Sequence, residues 1–567
     1  MTVRSRLALG LVLLLACAVR WRLLDVPLER DEGEYAYAGQ LILQGVPPYR
    51  LAYNMKLPGT YAAYAALMAV FGQTPRGIHL GLLVVNLATA LLVFRLARRL
   101  FEERTAAVAA AAFAIFSLSQ GVYGVFAHAT HFVILPAVAG CLLLLRASDR
   151  ESAPALFGAG LLFGAAFIMK QHGVFFVLFA LVWLLGEEAG RRRARADKDA
   201  ALVIRLAPGA ARAGWLLLGA VLPFGLACAL LAAAGVFRDF WFWTFDYAGT
   251  YVAQVPPALG LSILAQRLPT VALPTLPLWV LAGIGLLAPL WHGPARDRWR
   301  FTTLFALFSF LSICPGFYFR EHYFVLLLPA ASLLVGVAVG ATGRALPSAV
   351  FLAALLYPVL REREFFLAMT PQEASRSTYG PNPFPEAAEI ARQIRADTVP
   401  GDRVAVLGSE PEIFFYAHRR SATGYIYMYG LMEWQPYAHG MQQAAIGQIE
   451  SSAPKYVVFV DVPQSWLAGP TPTRRFSPGR EPTLPTTIGW PRWPTSCPAS
   501  RRDMSGARRR SPTGRARRMS STCSGAGRDR GGGVPPWGQM NFSLRAAKRL
   551  MRRRSHPCRK REMLVWP

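Results

Sequence analysis

Three carboxylates, Asp31, Glu32 and Glu34, stand within four residues in "RDEGEYAYAGQ", just after the first long apolar run of the chain. Carboxylates beside a bilayer are costly to desolvate, and ionisable residues there are functional candidates. A partly buried Asp with a raised pKa is a suitable general base toward a hydroxyl or amine. A structural reading stands beside this one. Asp31 at an N-cap with Glu34 three residues on is a capping-box pattern, and carboxylates favour a helix N-terminus. The cap leaves Glu32 unexplained. Some 25 residues later comes Lys56 in "YNMKLPGTYAAY", two residues before Pro58, which fixes the backbone where a helix begins. An acidic site followed by a Lys at the same interface points to a base and a phosphate clamp. Snorkelling to lipid headgroups is the alternative for Lys56. His128 and His131 in "FAHATHF" are spaced for one helix face, which is half of a metal site. With no second pair of ligands nearby, the reading preferred for them is a polar lining of an outer cavity, and no metal site is assigned.

Long apolar helices must position these residues. The chain is 53% hydrophobic and only 17% charged, against about 25% charge in an average soluble protein. The deficit is concentrated in runs such as "LALGLVLLLACAV" and "LLVGVAVG", which makes this a polytopic membrane protein. No small-residue cleavage site follows residues 7–19, so the first run reads as a retained helix. Spans are expected near 6–24, 78–98, 105–121, 125–146, 154–169, 173–187, 214–236, 271–291, 301–318, 323–343 and 346–361. Basic clusters at 95–104, 191–198 and 292–300 fall on one side if the N-terminus is cytoplasmic. The stretch 59–72 is short for a crossing and reads as an amphipathic helix at the outer interface. Residues 25–77 then form one long external loop that holds all three carboxylates and Lys56. The aromatic run "DFWFWTFDY" (239–247) reads as an interface anchor at the outer end of a span, or a surface that stacks on sugar.

After the last span the pattern changes. Residues 362–467 read as an extracytoplasmic α/β domain: "FPEAAEIARQIRAD" has helical spacing, while "DRVAVLG" and "KYVVFVD" are short β-branched strands. From 468 to 567 the chain is rich in Pro, Arg, Ser and Gly without apolar periodicity and reads as disordered. Such text is also what a shifted reading frame in a GC-rich gene yields. The tail accounts for most of the formal net charge of +28, so the charge does not indicate nucleic acid as a partner. None of the seven cysteines forms a C-x-x-C pair or a zinc spacing. No dinucleotide fingerprint or P-loop is present.

The stretch "RDEGEYAYAGQLILQGVPPYRLAYNMKLPGTYAAYAALMAVFG" resembles the first external loop of the family 39 glycosyltransferases and their GT-C relatives. Those relatives include the protein O-mannosyltransferases, the lipid A aminoarabinose transferases and the lipopolysaccharide galacturonosyltransferases. "GIHLGLLVVNLATALLVFRLARRLF", "GAAFIMKQHGVFF" and "FREHYFVLLLPAASLL" are similar to later elements of the same family, in the same order. The resemblance implies an all-α polytopic fold of the GT-C type, with about 11 transmembrane helices and outer juxtamembrane helices. It implies a polyprenyl-phosphate sugar as donor, a hydroxyl or amine on lipid, glycan or protein as acceptor, and inversion at the anomeric carbon. Asp31 matches the catalytic Asp, Glu32 the acid beside it, and Lys56 the basic residue facing the leaving phosphate. The family usually has Lys and Pro adjacent, whereas Leu57 intervenes here. Lys170, Arg320 and His322 are the next candidates for the sugar-phosphate head, with interfacial anchoring or an Arg320–Glu321 ion pair as the other reading. No cofactor is assigned, and a divalent cation stays open.

The function expected is therefore sugar transfer on the outer face of the cytoplasmic membrane, with the N-terminus cytoplasmic. A transporter or flippase of lipid-linked sugars would favour midplane charges and repeated halves. A membrane scaffold without catalysis is the third reading.

Overall fold

The computed structural model of the chain describes residues 3–195, 202–342, 346–433, 435–466 and 563–566. The disordered tail expected from 468 lies outside the described residues, apart from one short strand, Met563–Trp566. The first apolar run forms α1 (Val3–Arg22), and two short helices follow, α2 (Arg30–Leu43) and α3 (Pro58–Phe71). The bundle continues with α4 (Pro75–Leu100), α5 (Glu103–Phe116), α6 (Ala129–Asp149), α7 (Ala153–Met169), α8 (Val174–Arg195) and α9 (Leu202–Ala233). Next come α10 (Phe237–Trp241), a π-helical turn over Phe242–Tyr247 and α11 (Ala248–Val252). The remaining bundle helices are α12 (Pro257–Ala272), α13 (Leu276–Leu287), α14 (Gly293–Asp297), α15 (Trp299–Leu311), α16 (Leu328–Ala341) and α17 (Leu346–Arg361).

Among the described residues, six helical stretches are long and apolar enough to cross a membrane, from Pro75–Leu100 to Glu321–Ala341. Ala153–Met169, Trp299–Leu311 and Ala349–Arg361 are shorter apolar helices. Each overlaps an expected span. The span expected to run to residue 121 stops at Phe116, because Ser117 turns its hydroxyl back to Ala114 O and Tyr123 adopts a left-handed φ of 55°. Small residues set the closest helix approach. A Cβ at Gly160 would run into the Leu216 carbonyl, and one at Gly219 into that of Phe157, so the α7 and α9 backbones meet as side chains would not allow.

The C-terminal region holds α18 (Arg363–Leu367), α19 (Pro371–Tyr379), α20 (Phe384–Asp397), β1 (Arg403–Leu407), α21 (Glu412–Ala417), β2 (Arg420–Ser421), α22 (Tyr429–Met432), α23 (Ala438–Ser452) and β3 (Tyr456–Val460). β1 lies between β2 and β3 and pairs parallel to both, with Val404 opposite Tyr456 and Leu407 opposite Phe459. Parallel neighbours need a crossover, and α23 supplies the one that leads into β3.

The juxtamembrane helices depart from the expectation of an open external loop. One face of α3 (Tyr61, Tyr64 and Met68) is buried, while Ala62, Ala66, Ala69 and Val70 stay exposed, as an interfacial helix requires. α2 is buried from Glu32 to Leu41, because α3 covers one side and α21 the other. Tyr37 packs its ring on Phe414 at 5.3 Å and accepts the Ser421 N–H at 2.8 Å. Gly33 makes the contact possible, since a Cβ there would lie 2.6 Å from the Glu412 backbone nitrogen. The loop helices and the C-terminal sheet thus share a single hydrophobic core, to which α4, α6 and α9 also contribute Leu82, Phe132 and Leu231.

Candidate active site

The start of α2 fixes which carboxylate is free. Its N-cap is Glu29, whose carboxylate accepts the Glu32 N–H at 2.9 Å, while Glu32 accepts the Glu29 N–H at 3.1 Å. The capping box is therefore Glu29–Glu32 and not the expected Asp31–Glu34. Glu32 is fully enclosed and accepts two more bonds, from His79 Nε2 at 2.9 Å and from the Ala127 N–H. Its oxygens are occupied by these donors, so Glu32, expected beside Asp31 in the chemistry, is engaged by the helix start, His79 and Ala127. Glu34 is also buried, and its carboxyl meets Tyr61 Oη at 2.5 Å and Asn54 Nδ2 at 2.7 Å. Burial raises its pKa to about 8 against the opposing pull of Lys56.

Asp31 is the carboxylate left to face outward. One oxygen, Oδ2, lies 3.5 Å from Lys56 Nζ, and the other accepts the Tyr427 hydroxyl at 2.9 Å. Burial alone would raise its pKa, but Lys56, then His128 and Lys170, outweigh it and hold the carboxyl below the usual range. This corrects the expectation of a raised pKa. Lys56 is held in its charged form despite burial, by Asp31 first and Glu34 second.

The bundle brings the remaining cations to the same place. Lys170 caps the end of α7 and sets its ammonium 4.2 Å from the centre of the Tyr323 ring. Arg320, ahead of α16, donates to Tyr251 Oη at 3.2 Å and lies over Tyr318. Glu321 does not pair with Arg320, as one expectation had it; it binds Arg267 at 2.7 Å instead. His322 stacks face to face on His128, with centroids 4.1 Å apart and planes 10° apart. His128 Nε2 meets Tyr379 Oη at 3.1 Å, and Nδ1 faces Glu29 at 3.6 Å.

His128 and His131 part company. His131 is buried with both ring nitrogens unpartnered among the described residues, whereas His128 joins Asp31 and His322. The ligand atoms of these last three lie within 4.8 Å of one another, so they are the set that could hold a divalent cation. Parallel stacked imidazoles do not converge on one point, and Lys56 and Lys170 oppose a second cation nearby. The donor set therefore fits a metal poorly.

Segments far apart in sequence thus bring Asp31, Lys56, Lys170, Arg320 and His322 together, and leave Glu32 behind them. Sequence reasoning missed Tyr427, His79 and Glu29, since nothing in "GYIYMYG" or "GIHLG" marks those residues before the domain folds over α2. The aromatic run also differs from an interface anchor over part of its length. Trp243 stacks on Tyr53 at 5.5 Å and Tyr247 donates to Glu433 at 2.9 Å, while Trp241 stays exposed.

Residues 56–215 match the family model described as dolichyl-phosphate-mannose-protein mannosyltransferase. No curated protein matches the chain. Among solved structures, ArnT from Cupriavidus metallidurans bound to undecaprenyl phosphate is similar, with 17% identity and a TM-score of 0.53; the match covers 81% of this chain and 94% of that one. The apo state of the same ArnT matches at 17% identity and a TM-score of 0.52, over 80% and 92% of the two chains. AglB from Archaeoglobus fulgidus, in complex with an inhibitory peptide and a dolichol-phosphate, matches at 15% identity and a TM-score of 0.48, over 81% and 69%. The chain has the fold of the GT-C glycosyltransferases.

Proposed function

We propose that the protein is an integral membrane glycosyltransferase that moves a sugar from a polyprenyl-phosphate donor to a hydroxyl or amine of a lipid, glycan or protein. The observation that carries this reading is the gathering of Lys56, Lys170 and Arg320 around one outward-facing carboxylate, Asp31, at one end of a membrane bundle. The similar ArnT structure with undecaprenyl phosphate bound supports the donor class.

The chemistry follows from charge. When the bond between the anomeric carbon and the phosphate oxygen breaks, negative charge collects on the departing phosphate. Fixed cations there stabilise the transition state more than the ground state. Lys56, Lys170 and Arg320 take that part, and His322 can add a hydrogen bond to the phosphate. Asp31 accepts a hydrogen bond from the acceptor and orients it. A carboxylate with a low pKa is a weak base, so it takes the proton as the new bond from the anomeric carbon to the acceptor oxygen or nitrogen forms and that acceptor atom becomes strongly acidic. Attack opposite the leaving phosphate inverts the anomeric carbon. Glu32 positions the α2 N-terminus through His79 and Ala127 and stays out of the reaction. The basic clusters at the far ends of the helices support a cytoplasmic N-terminus and a site on the outer face of the cytoplasmic membrane.

Purified protein is to be incubated with a panel of polyprenyl-phosphate sugars while release of free polyprenyl phosphate is followed. Asp31→Asn should reduce release at least about a thousandfold, with a melting temperature close to that of the parent chain. Release by Asp31→Asn at the parent rate would remove Asp31 from the reaction. Movement of intact donor between leaflets without release would instead indicate a flippase.

A further inference from the structure

The C-terminal domain reaches into the site through one side chain. Tyr427 lies in the segment between β2 and α22, and its hydroxyl is 2.9 Å from Asp31 Oδ1. A carboxylate can only accept, so Tyr427 is the donor. Burial, and then the Asp31 charge, raise the pKa of the phenol and keep its proton on. With Tyr427 on Oδ1 and Lys56 on Oδ2, the carboxylate is fixed in rotation.

The segment that carries Tyr427 is itself anchored on both sides. The Met428 N–H donates to Ser409 Oγ at 2.9 Å, just beyond the C-terminal end of β1, and the Tyr429 hydroxyl donates to Gln464 O at 2.7 Å. The residue before Asp31 is tied to the same place. Arg30 forms an ion pair with Glu410 at 2.9 Å, donates to Asn382 Oδ1 at 3.1 Å and lies over the Tyr429 ring. Arg30 therefore fastens the start of α2 to the end of the sheet from which Tyr427 is presented, and the donor–acceptor distance is set by two rigid elements.

We infer that Tyr427 is a positioning residue for the transfer reaction, and that the C-terminal domain completes the active site by orienting Asp31 through it. This inference rests on the glycosyltransferase reading. Tyr427 touches Asp31 and is not required to touch substrate. Its removal should alter how Asp31 titrates and how fast transfer proceeds, and should leave donor affinity unchanged. The charged groups that also face Asp31 are Lys56, Lys170 and Arg320 on the basic side and Glu29 and Glu34 on the acidic side. His128 and His322 complete its surroundings. All of these remain in a Tyr427→Phe protein, so the change isolates a single hydrogen bond.

Two measurements test the inference. In the transfer assay, Tyr427→Phe should lower kcat about tenfold with KM for the donor unchanged, and move the acidic limb of the pH–rate profile up by about one pH unit. Tyr429→Phe, which removes an anchor of the same segment, should cost thermal stability and leave the limb in place. The second measurement needs no activity: modification of Asp31 by a water-soluble carbodiimide, read by peptide mass spectrometry against pH. Its midpoint should rise by about one pH unit in Tyr427→Phe. An unshifted midpoint overturns the inference. A shifted midpoint in a protein that releases no polyprenyl phosphate from any donor supports the contact and overturns the glycosyltransferase reading instead. A kcat loss with neither limb nor midpoint displaced means that Tyr427 acts by packing alone.

Discussion

Two acids three positions apart in the first turns of α2 are driven to opposite protonation states by what surrounds them. Asp31 faces Lys56 and stays ionised, while Glu34 is buried against Tyr61 and Asn54 with its pKa raised to about 8. The sign of the linkage follows. A carboxyl whose folded pKa lies above its unfolded value near 4.5 contributes stability that is full below pH 4.5 and is lost as pH rises through about 8. The melting temperature should fall by a few degrees between about pH 5 and 8. Glu34→Gln keeps the neutral shape and should flatten that slope, which a fluorescence-monitored melt in detergent reads directly. A slope as steep as the parent's would assign the loss to another group, for example the buried Glu29, whose carboxyl is also pushed up by burial and by Asp31 and Glu32.

Between elements, the contact that matters most is α2 against α21. Gly33 sits between two of the site's carboxylates and lets the helix backbones approach, with the ideal Cβ position 2.6 Å from Glu412 N and 2.7 Å from Glu412 Cβ. Neither partner is the end of a flexible side chain, so Gly33→Ala must push α2 away from the domain. Overpacking of this kind costs about 1–3 kcal/mol. The expected outcome is a lower melting temperature together with a loss of transfer larger than the stability change explains, because Asp31 moves away from Tyr427. Thermal melts and initial rates on the same preparation check it. The parent rate with only a lowered melting temperature would show that the spacing of α2 from α21 is not part of the chemistry.

At the scale of the molecule, the loop between the first two long helices is not an appendage of the membrane bundle. Tyr35, Tyr37 and Leu41 of α2 and Tyr61 and Tyr64 of α3 lie in one core with Val404, Ile413, Phe414 and Val458 of the C-terminal domain. A chain ending at residue 361 would leave that apolar face open, and exposed patches of this size drive association. It should therefore elute as aggregate on size exclusion in detergent, whereas the full chain gives a single peak. A monodisperse, folded bundle from the shortened chain would show that the two halves are independently stable.

The helical bundle was legible from residue patterns because a bilayer demands long apolar runs, and every such run expected from 75 to 361 carries a helix. The strands "DRVAVLG" and "KYVVFVD" were legible from β-branched alternation, and they form β1 and β3. The presence of an acidic cluster and a following Lys was equally plain. What residue patterns could not decide is which acid faces the site. Asp31 and Glu34 fit a capping box as well as Glu29 and Glu32 do, since both pairs have the same spacing. The choice was made by His79 and the Ala127 N–H, which hold Glu32 from other parts of the chain, and by Arg30, which ties α2 to the domain. Sequence by itself determined a membrane bundle with costly charges at one end. Only the tertiary structure decided that Asp31 stands between Lys56 and Tyr427, because long-range hydrogen bonds select a rotamer and a partner that local spacing leaves undetermined.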